Sequence, residues 1–290
     1  MNLQTDLKIS NLKCGLYIVS TPIGNLNDIT LRALDILRNS DYILCEDTRV
    51  SKKLLTSYKI NSKLISNHKF NEKKNVIKII NILKSKKIVS LISDAGTPTI
   101  SDPGNIIINE CVSNKINIIP IPGPSASIAA LSISGYSNRY YFYGFFPENN
   151  SEINKNFKFL SEIKDAIIFF ISAKKFNRSI KVLKKYFSDR KILICKEITK
   201  YYEENFRFNV YDLDQKDLNL KGEITLVLSE KKFENKTSKK LSESDKIKIR
   251  KLIKKLSIKE VVDFIKNGKE ISKKEIYNYC LEIKNGKKKY

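Results

Sequence analysis

Short runs rich in Ile, Val and Leu recur along the first 135 residues, separated by segments of helical periodicity, and this alternation limits the possible folds more than any other feature. The runs fall at residues 16–19, 42–45, 88–92 and 116–119. Runs of this length and composition suit strands buried on both faces. Residues 30–39 place Leu31, Leu34 and Leu37 on one helical face, with Asp28 or Thr30 available as the cap. Residues 75–85 repeat the pattern with Val76, Ile79, Ile80 and Leu83, and residues 106–114 and 125–134 complete it. Strands alternating with helices predict an α/β lobe built on a mostly parallel sheet, spanning residues 1–138.

A turn-like Gly-Tyr-Ser-Asn at 135–138 introduces a second α/β lobe, expected at 139–230. Its strands are predicted at 140–146, 166–171, 192–195, 206–210 and 223–228, with a helix at 178–187. The composition then shifts. Residues 231–290 hold 20 Lys and Arg against 8 Asp and Glu. A polar linker at 235–245 leads into three short helical patterns, at 245–256, 258–267 and 273–283. Ser257 and Ser272 stand before the second and third as caps. A compact basic helical module of this kind resembles a helix-turn-helix. The competing reading is a solvated Lys-rich appendage.

The whole chain carries 54 Lys and Arg against 31 Asp and Glu, a formal net charge of +23. Such an excess points to a polyanionic partner, because each cation placed near a phosphate displaces a counterion. Drift toward Lys, Asn and Ile raises the charge as well. The five cysteines form no C-x-x-C pair, so neither a disulfide framework nor a zinc site is expected, and a reducing cytoplasm fits. The N-terminus has no signal-peptide core, and no apolar run reaches membrane-spanning length. No metal site is expected.

Three Gly/Pro loops follow strands in the first lobe: residues 20–26, 93–104 and 121–126. Ligands of open α/β sheets bind beyond the carboxyl ends of strands, so three such loops describe one pocket. Asp94, directly after a strand, can accept hydrogen bonds from a ligand hydroxyl or ammonium. None of the loops is a G-x-G-x-x-G or a Walker A sequence, so phosphate cradling is not indicated.

The segments LYIVSTPIGNLNDITLRALDIL, CEDTRVSKKLL, SNHKFNE, LISDAGTPTISDPG, IIPIPGPSASIAALSISGY and YFYGFFP occur in this order. Together they resemble the landmarks of the ribosomal RNA small subunit methyltransferase I family, within the tetrapyrrole methylase superfamily, over residues 15–229. The resemblance implies two α/β lobes with S-adenosylmethionine in the cleft between them and a small helical C-terminal module. It also implies methylation of the ribose 2′-oxygen of a cytidine in the decoding region of 16S rRNA, as naked rRNA or in the small ribosomal subunit, and a homodimer. Carried over by motif, Pro22, Ile23, Asp94, Ala95, Gly96, Thr97, Ser125 and Ala126 surround the cofactor. Ile171 and Gly222 close the pocket from the second lobe. One landmark departs: FISAKKF at 170–176 stands where the family shows an aromatic followed by Glu-Ser-Pro-His-Arg. Lys196 stands where Arg is usual, which keeps a charge for RNA phosphate but loses the planar fork.

A ribose hydroxyl needs a base to become a good nucleophile. The candidates are Glu46 and Asp47 in CEDTR, His68 with Asn71 and Glu72 in SNHKFNE, and Glu197. Asp47 has a competing reading as a helix cap paired with Arg49. Arg49, Lys52, Lys53, Lys69 and Lys196 are the candidate RNA contacts. The aromatic run at 140–146 either stacks on a base or fills the core. Two other functions compete: a methyltransferase acting on a tetrapyrrole, and a non-catalytic rRNA- or ribosome-binding protein with a degenerate cofactor pocket.

Overall fold

The computed structural model describes residues 12–215, 218, 220–231, 241–267 and 271–286. The chain divides into two compact units, 1–231 and 232–290. The first unit contains two five-stranded sheets.

The first sheet is wholly parallel: β1 (Gly15–Val19), β2 (Tyr42–Cys45), β3 (Lys63–Ser66), β4 (Ile88–Leu91) and β5 (Ile118–Ile121), in the order β3-β2-β4-β1-β5. Helices α1 (Leu31–Asn39) and α2 (Thr48–Ser57) are linked to one core around Tyr17, Val19, Ile36, Leu37, Ile43 and Leu55. Helices α3 (Glu72–Lys84) and α4 (Asn105–Ser113) contribute to the other, around Leu16, Leu44, Ile79, Leu83, Leu91 and Ile107. Double coverage explains why the strands read as continuous apolar runs. Thr30 is the α1 cap, its side chain accepting from the Ala33 amide at 3.1 Å.

Two expectations shift here. β5 starts at Ile118 rather than 116, because the Ile116 amide still bonds the Cys111 carbonyl at 2.9 Å and Lys115 is left-handed (φ 54°). Both residues therefore close α4. β3 was not anticipated: an edge strand of four residues, with only Leu64 and Ile65 apolar, leaves almost no pattern to read.

The second sheet is mixed: β6 (Tyr140–Phe145), β7 (Ala166–Ser172), β8 (Lys191–Lys196), β9 (Glu204–Asn209) and β10 (Glu223–Leu228), ordered β6-β7-β10-β8-β9. Only β6 and β7 run parallel; the remaining pairs are antiparallel. One face is covered by α6 (Asn150–Glu162) and α7 (Ala173–Phe187), with Phe157, Phe169, Phe176 and Phe187 wholly buried. Helix α6 escaped the sequence reading, although Ile153, Phe157 and Leu160 have helical spacing behind the Asn149 cap. Helix α7 begins five residues before the expected start, since Ala173 and Phe176 extend its buried stripe. The other face receives α5 (Ala126–Ser132) from the first lobe: Ala130 packs with Ile168, Leu193, Cys195 and Val227. That contact brings the loops of the first sheet to the strand ends of the second.

The described part of the second unit holds α8 (Glu243–Leu252), α9 (Ile258–Lys266) and α10 (Lys273–Gly286) around Ile249, Val261, Ile265, Ile276 and Cys280. Ser257 and Glu260 form a reciprocal capping box, and Ser272 accepts from the Glu275 amide at 3.1 Å. Residues 235–240 of the anticipated linker lie outside the described residues. The fold class is as expected: two α/β lobes and a helical C-terminal module. Among the described residues, no helix is long and apolar enough to cross a membrane.

Candidate functional site

The three Gly/Pro loops are fastened to one another by hydrogen bonds. The loop after β1 meets the loop after β4 through a reciprocal pair: the Thr21 amide donates to the Gly96 carbonyl at 2.9 Å and the Gly96 amide to the Thr21 carbonyl at 3.0 Å. Gly96 is left-handed (φ 80°), and a Cβ there would press on Ile23 at 3.2 Å. The loop after β4 meets the loop after β5 through Thr97, whose hydroxyl donates to the Pro124 carbonyl at 3.0 Å and lies 3.0 Å from the Ser20 hydroxyl. A single rigid wall results.

This wall bounds a cavity of about 380 Å³. From the first lobe come Ile23, residues 94–97, residues 100–102 and residues 125–127. From the second come Phe145, residues 170–172, Cys195, Glu197, Ile198, Lys200 and residues 223–225. The volume falls in the range of small-molecule sites. Apolar side chains (Ile23, Ile100, Phe145, Phe170, Ile171) share the lining with carboxylates. Burial pushes the Cys195 thiol up to about 12, so it faces the cavity as a protonated, unreactive group.

The charged groups divide into two sets. In the second lobe Lys200 lies between two carboxylates, 3.0 Å from Glu197 and 2.9 Å from Glu223. Glu197 (φ 51°) also accepts from the Glu223 amide at 2.9 Å. Burial disfavours its charge, but that amide and the Lys200 ammonium outweigh burial and hold the carboxyl below the usual range. In the first lobe Glu46, Asp94 and Asp102 stand close enough to disturb one another. Burial first, then Asp94, raises Glu46; burial raises Asp94 against the Asp47 amide, which lowers it, with the Asp47 charge adding to the rise. Burial, then Glu46 and Asp94, push Asp102 up to about 6.

A profile of the family described as Tetrapyrrole (Corrin/Porphyrin) Methylases matches residues 15–214, which contain both sheets up to β9. Ribosomal RNA small subunit methyltransferase I of Rickettsia prowazekii is 42% identical over 221 residues, covering 75% of this chain and 79% of that protein. The protein of the same name from Mesomycoplasma conjunctivae is 44% identical over 233 residues, covering 80% and 98%. The chain belongs to the ribosomal RNA small subunit methyltransferase I group of the tetrapyrrole methylase family. Among solved structures, uroporphyrin-III C-methyltransferase from Thermus thermophilus, complexed with S-adenosylhomocysteine, has the same fold. It gives a TM-score of 0.52 at 12% identity, over 74% of this chain and 97% of that one.

Within this tetrapyrrole methylase fold, most residues anticipated around the cofactor line the cavity: Ile23, Asp94, Ala95, Gly96, Thr97, Ser125, Ala126 and Ile171. Two do not. Pro22 is buried behind the wall. Gly222 sits beneath Glu197, where a Cβ would come within 2.2 Å of the carboxylate; its role is to let Glu197 approach. Residues 170–172, the departure from the family landmark, line the cavity as the end of β7, and Ser172 makes no side-chain cap to α7.

The candidate bases separate clearly. Asp47 is the α2 cap: its carboxylate accepts from the Arg49 amide at 2.8 Å and from the guanidinium at 3.1 and 2.7 Å. The Arg49 hydrogen bonds hold it down at about 2, so it is a poor proton acceptor. Glu72 accepts from the Ile106 and Ile107 amides and serves the start of α4. Asn71 staples its own loop, accepting from the His68 amide and donating to the Ser66 carbonyl. His68 Nδ1 accepts from the Phe70 amide at 3.2 Å, so a neutral ring carries its proton on Nε2 and presents a donor. Glu46 remains near Asp94 and Asp102. Among the phosphate candidates, Lys52, Lys53 and Lys69 are exposed, while Arg49 is shared with Asp47. Lys196 is mostly buried and paired with Glu204 across the β8–β9 register, so it is no free phosphate contact. Asp102 and Lys200 were not singled out. Asp102 lies inside the signature loop, but sequence does not show which polar members of a loop face inward.

Proposed function

We propose that this chain transfers the methyl group of S-adenosylmethionine to the ribose 2′-oxygen of a cytidine in the decoding region of 16S rRNA. The observation that carries this reading is the composite cavity, built from the segments that the chain shares with relatives named ribosomal RNA small subunit methyltransferase I. The lining suits the cofactor. Its one lysine is neutralised by two carboxylates, so the remaining acids favour a ligand bearing sulfonium and ammonium charge. Bound there, the cofactor supplies an electrophilic methyl group.

Ile23, Ala95, Gly96 and Ile171 offer flat apolar and backbone surface, Asp94 a polar anchor, and Thr97, Ser125 and Ala126 further lining. Holding the acceptor oxygen about 3 Å from the methyl carbon supplies much of the rate. The rigid wall serves that end. Lys52, Lys53 and Lys69, with the basic second unit, provide cations for an RNA backbone.

The deciding experiment is mass spectrometry of 16S rRNA from cells lacking this protein. One missing ribose methyl on a decoding-region cytidine is expected. An unchanged methylation pattern overturns the reading.

A further inference from the structure

The carboxylates that line the cavity are not equally engaged. Asp94 accepts from the Asp47 amide at 3.3 Å. Glu197 takes Lys200 and the Glu223 amide, and Glu223 takes Lys200. Among the described residues nothing donates to the Asp102 carboxylate; burial and like charges alone act on it. Its neighbour Ser101 lines the same cavity, and the Ser101 hydroxyl is shielded from solvent with no hydrogen-bond partner. A half-buried carboxylate with no protein donor, next to a shielded hydroxyl with no partner, marks a place prepared for a polar group of a ligand. Both stand on the loop that carries Asp94 to Thr97, so cofactor contacts and this pair belong to one segment. That segment is clamped at Gly96 by Thr21, at Thr97 by Pro124, and beyond Gly104 by Glu72.

We propose that Asp102 is the general base for methyl transfer, taking the proton of the acceptor hydroxyl while Ser101 hydrogen-bonds the same substrate group. The assignment rests on the methyltransferase reading above. As the acceptor oxygen bonds the methyl carbon, its proton passes to Asp102. The carbon–sulfur bond breaks with its electron pair kept by sulfur, which leaves as a neutral thioether, and Asp102 then loses the proton to water. The groups already engaged by a donor or cation are poorer acceptors. Asp47 is held by Arg49, Glu197 and Glu223 by Lys200, and His68 presents a donor beside Glu46. Burial, then the charges of Glu46 and Asp94, raise Asp102 to about 6, ionised at neutral pH yet basic enough to be useful.

The test is tritium transfer from labelled S-adenosylmethionine to 16S rRNA and to small subunits, with the wild-type chain and the variants D102N and E46Q, under single turnover between pH 5 and 9. Calorimetry with S-adenosylhomocysteine and thermal melts run alongside. Wild type is expected to lose rate below about pH 6. D102N should fall by roughly 10²–10⁴-fold with cofactor affinity intact. E46Q should move the acid limb to lower pH, because it removes the larger of the two charges that raise Asp102. A D102N rate within threefold of wild type overturns the assignment, as does an unmoved limb in E46Q or a loss of cofactor affinity matching the loss of rate. A wild-type chain that binds the cofactor but methylates neither substrate overturns the rRNA reading itself, and this assignment with it.

Discussion

Glu72, from the first turn of α3, accepts a hydrogen bond from the Ile106 amide at 3.0 Å and so supplies the cap that α4 lacks at Gly104. A carboxylate at a helix N-terminus satisfies an orphan amide and opposes the helix dipole. Here the capped helix begins where the signature loop ends. E72A should therefore destabilise the chain by about 1–2 kcal/mol in urea unfolding. It should also weaken S-adenosylhomocysteine binding, with E72Q milder on both counts. Unchanged stability in E72A would show that water replaces the carboxylate.

Asp94 stands at the strand end, lines the cavity and is fixed by the Asp47 amide. D94A should weaken cofactor binding about tenfold or more, in line with the loss of a hydrogen bond to a charged group. RNA affinity, read by filter binding, should stay within about twofold. Loss of both would mean that Asp94 organises the fold rather than the ligand.

The raised Asp102 has a stability consequence that can be measured without any substrate. Its folded value, about 6, lies above the ordinary value of 3.8, so the fold favours the protonated form. The associated stability is fully present below about pH 4 and is lost as pH rises through 6. With roughly 1.4 kcal/mol per unit, the loss reaches at most about 3 kcal/mol, reduced by solvent screening. D102N should accordingly melt higher than wild type at pH 8, with the gap closing by pH 4. A gap independent of pH would point to packing instead.

The second unit exposes Lys254 and Lys255 in the turn after α8 and Lys259 at the start of α9. If these contact RNA, changing all three to Gln in the full chain should flatten the plot of log affinity against log salt by about 2, at roughly 0.7 per phosphate on single strands. Cofactor affinity should not move. An unchanged slope would assign the charge to solubility.

Much of the α/β lobe pattern was legible because buried parallel strands and one-face helices leave strong periodic signals. The runs that became β1, β2 and β4, the Thr30 cap and the Ser257 cap all follow from local chemistry. β3 and α6 escaped for different reasons. The first is too short and half-buried to carry a pattern, while the Ile153–Phe157–Leu160 stripe of α6 is diluted by the Asn, Lys, Ser and Glu around it.

By itself the sequence determined the lobe pattern, the family and most of the cavity wall, since those depend on side-chain periodicity and on Gly and Pro in fixed order. It did not decide which acid is free to act. Asp47, Glu72, Glu197 and Asp102 are equivalent as letters. The Arg49 cap of Asp47 was open to a local reading, but only the tertiary structure spends Glu72 on α4 and Glu197 on the Glu223 amide, leaving Asp102 half-buried and, among the described residues, without a donor. A carboxylate's reactivity is set by what donates to it and by how much water it has lost, and both depend on residues distant in the chain.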